Sequence, residues 1–232
     1  MPAPTPSSKT PVHVVRIWDL PTRLFHWSLA AVVIGLLITG LNGGAAMVWH
    51  FRLGYVMLSL LMFRLVWGVL GGRWSRFSSF LYAPRAFWSY LRGQGSAALH
   101  AGHNPLGALS VFALLLFLMA QVASGLVSDD EIASAGPLTA WVSAEWVSLA
   151  THYHRQIGKT ILIALVLLHV AAILYHLVRK HDNLIRPMIH GDKVLQEALP
   201  PSRDDLRTRL WAALLGLICA TAVWLLIRFA PG

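Results

Sequence analysis

Cysteine is nearly missing from this 232-residue chain, with Cys219 standing alone. That excludes an intrachain disulfide, a cysteine-ligated zinc site, an iron–sulfur cluster and the CxxCH signature of covalent c-type haem. Charge is also scarce: 12% of residues are Asp, Glu, Lys or Arg, against roughly 25% in soluble domains. What is there instead is apolar surface. Hydrophobic residues make up 56% of the chain, ten of them tryptophan, and mean hydropathy is +0.59. One core of this size cannot hide so much, so lipid must solvate a large part of it. The net charge of +9 is therefore expected to mark loops on one side of a membrane rather than a nucleic-acid surface. The chain shows no internal repeat and no second domain.

Apolar runs lie at about Leu24–Leu41, Phe51–Leu70, Leu106–Val127, His154–Val178 and Leu210–Phe229. Each approaches the ~20 residues that cross a ~30 Å hydrocarbon layer. Turn residues punctuate the joints: Asn42-Gly43-Gly44, Gly71-Gly72, Asn104-Pro105, Gly136-Pro137 and Pro200-Pro201. The expected fold class is an all-α integral membrane protein with a four-helix bundle and a fifth, C-terminal transmembrane helix. Residues 1–15, rich in Pro, Ser and Thr, read as a disordered tail, 16–193 as the bundle, and 194–232 as a linker plus the extra helix. The first run is too long and too far from Met1 for a cleaved signal peptide.

Charge placement sets the orientation. Lys9, Arg16 and Arg23 precede the first run; Arg73, Arg76, Arg85 and Arg92 separate the second and third. Arg179, Lys180, Arg186, Lys193, Arg203, Arg207 and Arg209 separate the fourth and fifth. The alternate connections, 42–49 and 128–153, have no Lys or Arg, and the longer one carries Asp129, Asp130, Glu131 and Glu145. The positive-inside rule then predicts a bacterial inner-membrane protein with a cytoplasmic N-terminus and a periplasmic C-terminus. The acidic connection is expected to hold a short interfacial helix around 137–149, with Trp141 and Trp146 at headgroup level.

Histidines inside the runs carry the functional signal, because ligating side chains in a membrane are costly. His26 lies at the inner depth and His50 at the outer; His154 and His169 both belong to the fourth run. Fifteen residues of α-helix separate those two by ~22 Å of rise and ~60° of rotation, so one face shows an imidazole at each depth. His50 with His154, and His26 with His169, describe two bis-histidine haem sites in a bundle. Gly40 and Gly54 leave room for a flat porphyrin. Arg64 at the inner level, and Arg52, Arg155 and Lys159 at the outer one, are candidate propionate partners. His152 stands as the alternative to His154, and His176 as the alternative to His169. His103, leading into the third helix, is held open near the inner site.

Several segments resemble the bacterial cytochrome b561 family, in the branch related to the b-type cytochrome subunits of nickel–iron hydrogenases. They are Phe25-His26-Trp27, His50 with Gly54-Tyr55, Arg64-Leu65-Val66-Trp67-Gly68, His103-Asn104-Pro105-Leu106-Gly107, Asp129-Asp130, Gly136-Pro137-Leu138, Leu168-His169-Val170, Asn183-Leu184-Ile185 and Met188-Ile189-His190-Gly191-Asp192-Lys193. The resemblance, from about Val15 to Lys193, implies a four-helix di-haem core with ligands on the first, second and fourth helices. It implies two non-covalent b haems exchanging electrons between membrane quinone and a periplasmic partner, a c-type cytochrome or a dehydrogenase; some relatives oxidise superoxide. The family spaces its fourth-helix histidines one residue closer than this chain does, and the fifth helix lies outside its core pattern. That helix is expected to pack a homodimer or a partner subunit.

Electron relay is the expected function, with quinone contacts sought among His103, Arg64 and Arg16. The alternative is a haem-bearing membrane anchor for a soluble oxidoreductase. A histidine-based metal-ion transporter is disfavoured, because neither inverted repeats nor broken helices are visible.

Overall fold

The computed structural model describes residues 12–93, 101–130 and 134–230. Five helical stretches are long and apolar enough to cross a membrane. The first, α1 (Leu20–Asn42), starts where the Asp19 carboxylate accepts the Thr22 amide at 2.8 Å and Pro21 occupies the first turn. It stops at Gly43, whose φ of 62° suits glycine. A single 3₁₀ turn, Gly44–Ala46, leads into α2 (Met47–Leu70), which ends at Gly71. A short α3 (Pro84–Leu91) precedes the third crossing, α4 (Pro105–Leu126), capped by Asn104, whose side chain accepts from Gly107 N at 2.7 Å.

The fourth crossing is compound. α5 (Ala144–His152) runs through a π-helical turn, Tyr153–Gly158, into α6 (Lys159–Arg179). The interfacial helix expected around 137–149 is thus not separate. Only a 3₁₀ turn, Thr139–Trp141, stands apart, and the rest is the outer extension of the fourth crossing. Trp141 and Trp146 do lie exposed on it. After α7 (Ile185–His190) the chain reaches α8 (Leu206–Arg228), capped by the Asp205 carboxylate on Thr208 N.

Phe25, Val32, Met57, Leu61, Phe63, Trp67, Leu115, Leu118 and Leu162 form the core between α1, α2, α4 and α6. Ala212 and Cys219 of α8 belong to the same cluster, so the fifth helix packs onto α2 and α1 of its own chain. The face carrying its buried residues is thus used internally. Large apolar side chains such as Leu167, Leu168, Trp211 and Leu217 point outward, as lipid-facing positions do.

Two strands correct the domain reading. β1 (His13–Arg16) pairs antiparallel with β2 (Asp192–Leu195), placing Arg16 opposite Asp192. Residues 13–15, read as disordered tail, are therefore paired, and the linker read from 194 begins inside a strand. Residues 1–11, with Lys9, and 94–100 and 131–133, with His100 and Glu131, lie outside the described residues.

The strand pair closes a polar cap over the basic end of the bundle. Ser202 donates to Ile17 O at 2.7 Å and accepts from Trp74 N at 3.3 Å, tying the linker down. Asp204 accepts from Arg16 at 2.5 Å, from Leu20 N at 3.1 Å and from Arg209 at 3.0 Å, which joins α8, α1 and β1 at one carboxylate. Burial pushes this carboxyl up, but the bonds from Arg209, Leu20 N and Arg16 outweigh it and hold the pKa below its ordinary value. A depressed folded-state pKa contributes stability that is complete above the unfolded value and disappears as pH falls through the folded one. We expect the wild-type melting temperature to drop below about pH 4 by more than that of Asp204→Asn, which lacks this titration; parallel melting curves check it.

Candidate functional site

The four in-span histidines meet in the two pairs that depth predicts. Near the acidic-loop end, the His50 and His154 rings lie with centroids 6.1 Å apart and planes at 89°. Toward the basic end, the His26 and His169 centroids are 6.5 Å apart at 52°. All four side chains are half-buried, and α1, α2 and the compound fourth crossing supply them. His152 instead is exposed and lines an adjoining cleft with Thr139 and Ser148. His176 turns to Asp182, 3.8 Å from its Nδ1.

The backbone fixes the tautomers of the His50–His154 pair. His50 Nδ1 lies 3.1 Å from Leu36 O and His154 Nδ1 lies 2.9 Å from Gln121 O. A carbonyl only accepts, so each Nδ1 carries the proton and donates it. Each Nε2 then keeps its lone pair, the arrangement that makes imidazole a metal ligand. Thr39 Oγ1, 3.2 Å from His50 Nδ1, adds a second contact. In the other pair, His26 Nδ1 is buried with no partner among the described residues.

Two glycines hold the first pair in place. A Cβ at Gly40 would stand 3.0 Å from His50 Cε1, and one at Gly125 would stand 2.8 Å from His154 Cε1. Gly40 thus makes room for the His50 imidazole itself. At Gly54 nothing lies within 4 Å of where a Cβ would go. Gly40, Gly54, Gly125, His50, His154, Arg155 and Lys159 all line one cavity of about 700 Å³. That volume lies within the roughly 300–1,000 Å³ of cofactor pockets. Arg52 is not among its walls; it is exposed, with its guanidinium 5.0 Å over Trp49.

At the basic end, Arg64 is 4% exposed. It donates to Ser75 O at 3.0 Å and lies 4.5 Å over the Phe77 ring. Arg16 is engaged by Asp192 and Asp204. His103 lies between the tilted rings of Trp18 and Phe80, with centroids at 4.7 and 4.5 Å, and its buried Nδ1 has no partner among the described residues. Burial first, then the positive charge of Arg64, pushes the His103 pKa down to about 3, so the ring is neutral.

Sequence reasoning missed Gly125, Gln121 and Asp19. Gly125 offered a signal, a glycine near the outer end of the third run. Gln121, which brackets His154 with both its carbonyl and its side-chain amide, offered little beyond being a polar residue inside an apolar run. Among the described residues no group of three or more His, Cys, Asp or Glu gathers as a metal cage.

A family model described as Prokaryotic cytochrome b561 matches residues 17–191. Among curated relatives, the chain is 24% identical to the Probable Ni/Fe-hydrogenase B-type cytochrome subunit of Bradyrhizobium diazoefficiens, over 79% of this chain and 87% of that one. The protein of the same name from Azotobacter vinelandii is 25% identical, over 80% and 91% of the two chains. The Probable Ni/Fe-hydrogenase 1 B-type cytochrome subunit of Escherichia coli K12 is 23% identical, over 75% and 88%. No solved structure matches the chain.

Proposed function

Since this chain belongs to the prokaryotic cytochrome b561 family, we propose that it relays single electrons across the membrane through two bis-histidine b-type haems, exchanging them between quinone and a redox partner on the periplasmic face. Membership already makes it a multi-pass membrane electron-transfer protein that carries b-type haem. The finer reading rests above all on one observation, the ring spacing in the two histidine pairs. A metal–imidazole bond of about 2.0 Å, plus about 1.1 Å from nitrogen to ring centre, taken on both sides of an iron, needs centroids roughly 6.2 Å apart. The observed 6.1 and 6.5 Å match that requirement.

Haem, when bound, supplies a one-electron couple that the protein tunes through ligation, burial and neighbouring charge. The chain's own residues do the rest. His50 and His154 are held as Nε2 donors by Leu36 O and Gln121 O, and such outer partners are worth 10–100-fold in metal affinity. With His26 and His169 paired likewise, neither site offers an open position, which disfavours dioxygen binding. Arg155 and Lys159, on the wall of the cavity, are placed to meet propionates with charge-assisted hydrogen bonds. Of the candidate quinone contacts, Arg16 and Arg64 are already engaged. His103, neutral and with an Nδ1 that has no partner among the described residues, is the candidate this reading favours.

The relatives' names support a second reading of the same chemistry, in which this chain anchors a hydrogenase-type partner and its haems form one link in that partner's chain. By the positive-inside rule, the basic loops support a reading in which the His26–His169 pair lies toward the cytoplasm and the His50–His154 pair toward the periplasm. The test is a redox difference spectrum of the purified protein with a haem-to-polypeptide ratio. We expect a b-type spectrum, haem extractable by acidified solvent, and a ratio of two. A colourless protein, or a ratio of one, overturns the proposal.

A further inference from the structure

The geometry points to the π turn Tyr153–Gly158 as a one-residue register correction that brings His154 onto the line of His169, with Gln121 and Gly158 as its positioning residues. This rests on the haem-ligand reading above. In a bundle the contact seam of a helix recurs every 3.5 residues, so two heptads, 14 residues, return a side chain to the same line. His50 and Arg64 keep that spacing on α2, as do His26 and Gly40 on α1. His154 and His169 are separated by 15. On an uninterrupted α-helix 14 residues return to within about 40° of the starting direction whereas 15 overshoot it by about 60°, so Arg155 rather than His154 would lie nearer the seam. A π turn closes its hydrogen bonds over five residues instead of four and so takes up one residue without advancing the phase. The rings show the result: His154 reaches His50, while Arg155 is exposed.

A π turn is intrinsically less stable than the α-helix around it, so something must hold it. Gln121 of α4 lies against it. Its side-chain Nε2 donates to His154 O at 2.8 Å, and its own carbonyl accepts from His154 Nδ1 at 2.9 Å, so one residue grips the histidine by main chain and ring together. Gly158 is buried, and a Cβ there would overlap Gln121 Oε1 and the Tyr153 ring. The glycine is therefore what lets the glutamine lie flat across the turn.

The test removes the residue that the turn absorbs. Ile157 is exposed on the apolar surface; deleting it restores a 14-residue spacing on a plain α-helix. The deletion should keep the haem-to-polypeptide ratio of the wild type, whereas inserting one alanine after Ile157 should halve it. Gln121→Leu in the intact chain should weaken retention of the outer haem at least tenfold. It should also shift that haem's electron paramagnetic resonance g-maximum, which reports the angle between the two imidazole planes. In the Ile157-deleted chain the same substitution should do neither, because no π turn is left to hold. Retention of the His26–His169 haem in every variant shows that the bundle is folded. Loss of the outer haem on deletion, or an effect of Gln121→Leu that is absent or equal in both backgrounds, overturns the proposal. His154→Ala, prepared in parallel, separates this from the underlying reading: if it keeps the full haem content, the ligand assignment itself fails.

Discussion

Replacing His169 or His26 by alanine is expected to remove one haem and leave the other, halving the haem content of the purified protein; His50→Ala or His154→Ala should remove the second haem instead. The effect is large because a bis-histidine site depends on both imidazoles, and the lipid-facing surroundings offer no replacement. His152 is exposed in an adjoining cleft and His176 is turned toward Asp182, so neither can swing in without rotating its helix. The measurement is the haem-to-polypeptide ratio together with a redox titration, in which one of two components should vanish while the midpoint of the other moves little. If His169→Ala kept both components and His176→Ala lost one, the pairing seen here would be wrong.

A second large effect is expected far from either histidine pair. Asp19 is fully buried, with an exposure of 0%. Its carboxylate accepts from Thr22 N at 2.8 Å, Ser75 Oγ at 2.8 Å, Gly72 N at 3.2 Å and Trp67 Nε1 at 3.3 Å. The nearby Arg64 guanidinium is buried too. Asp19→Ala removes the N-cap of α1, leaves those donors without an acceptor and strips a buried cation of its compensating charge. Leaving a buried donor without its acceptor costs about 1–3 kcal/mol, and a lost cap adds about 1 kcal/mol. Asp19→Asn should cost less, since its amide keeps one oxygen for Thr22 N, but its NH₂ must face Gly72 N or Ser75. Thermal unfolding in detergent should rank the chains wild type, Asn, Ala in falling order; equal melting temperatures would show that the network is dispensable.

This network has a simple logic. Gly72 passes so close to Asp19 that a side chain there would collide with the carboxylate, and Gly68 is likewise filled by the Phe77 ring. The loop after α2 therefore folds back over the start of α1 instead of running into solvent. That fold-back buries Arg64 and helps enclose His103, through Phe80, beside the His26–His169 pair. A segment that reads as an ordinary basic loop in this way packs beside the His26–His169 pair.

Much of the molecule was legible residue by residue. Asn104-Pro105 marked a helix start, and Gly43 and Gly71 marked ends, because capping chemistry is local. The boundary near residue 15 was not legible: β1 exists only because β2, more than 170 residues later, lies beside it. Nor was the seat of α8. A uniformly apolar helix has no moment to show which side meets protein, and only the small Ala212 and Cys219, set against α2 and α1, reveal it.

The chain alone determined how many helices cross, which connections share a side, and at what depth each imidazole lies. Hydropathy and charge are written linearly along it, and each helical residue adds about 1.5 Å of rise. Direction around the helix axis was decided only in three dimensions. It accumulates at about 100° per residue, so a single hydrogen bond closing over five residues rather than four, as at Tyr153–Gly158, determines whether His154 or Arg155 faces His50. Which bond forms depends on Gln121 from the neighbouring helix, a contact between residues that only packing brings together.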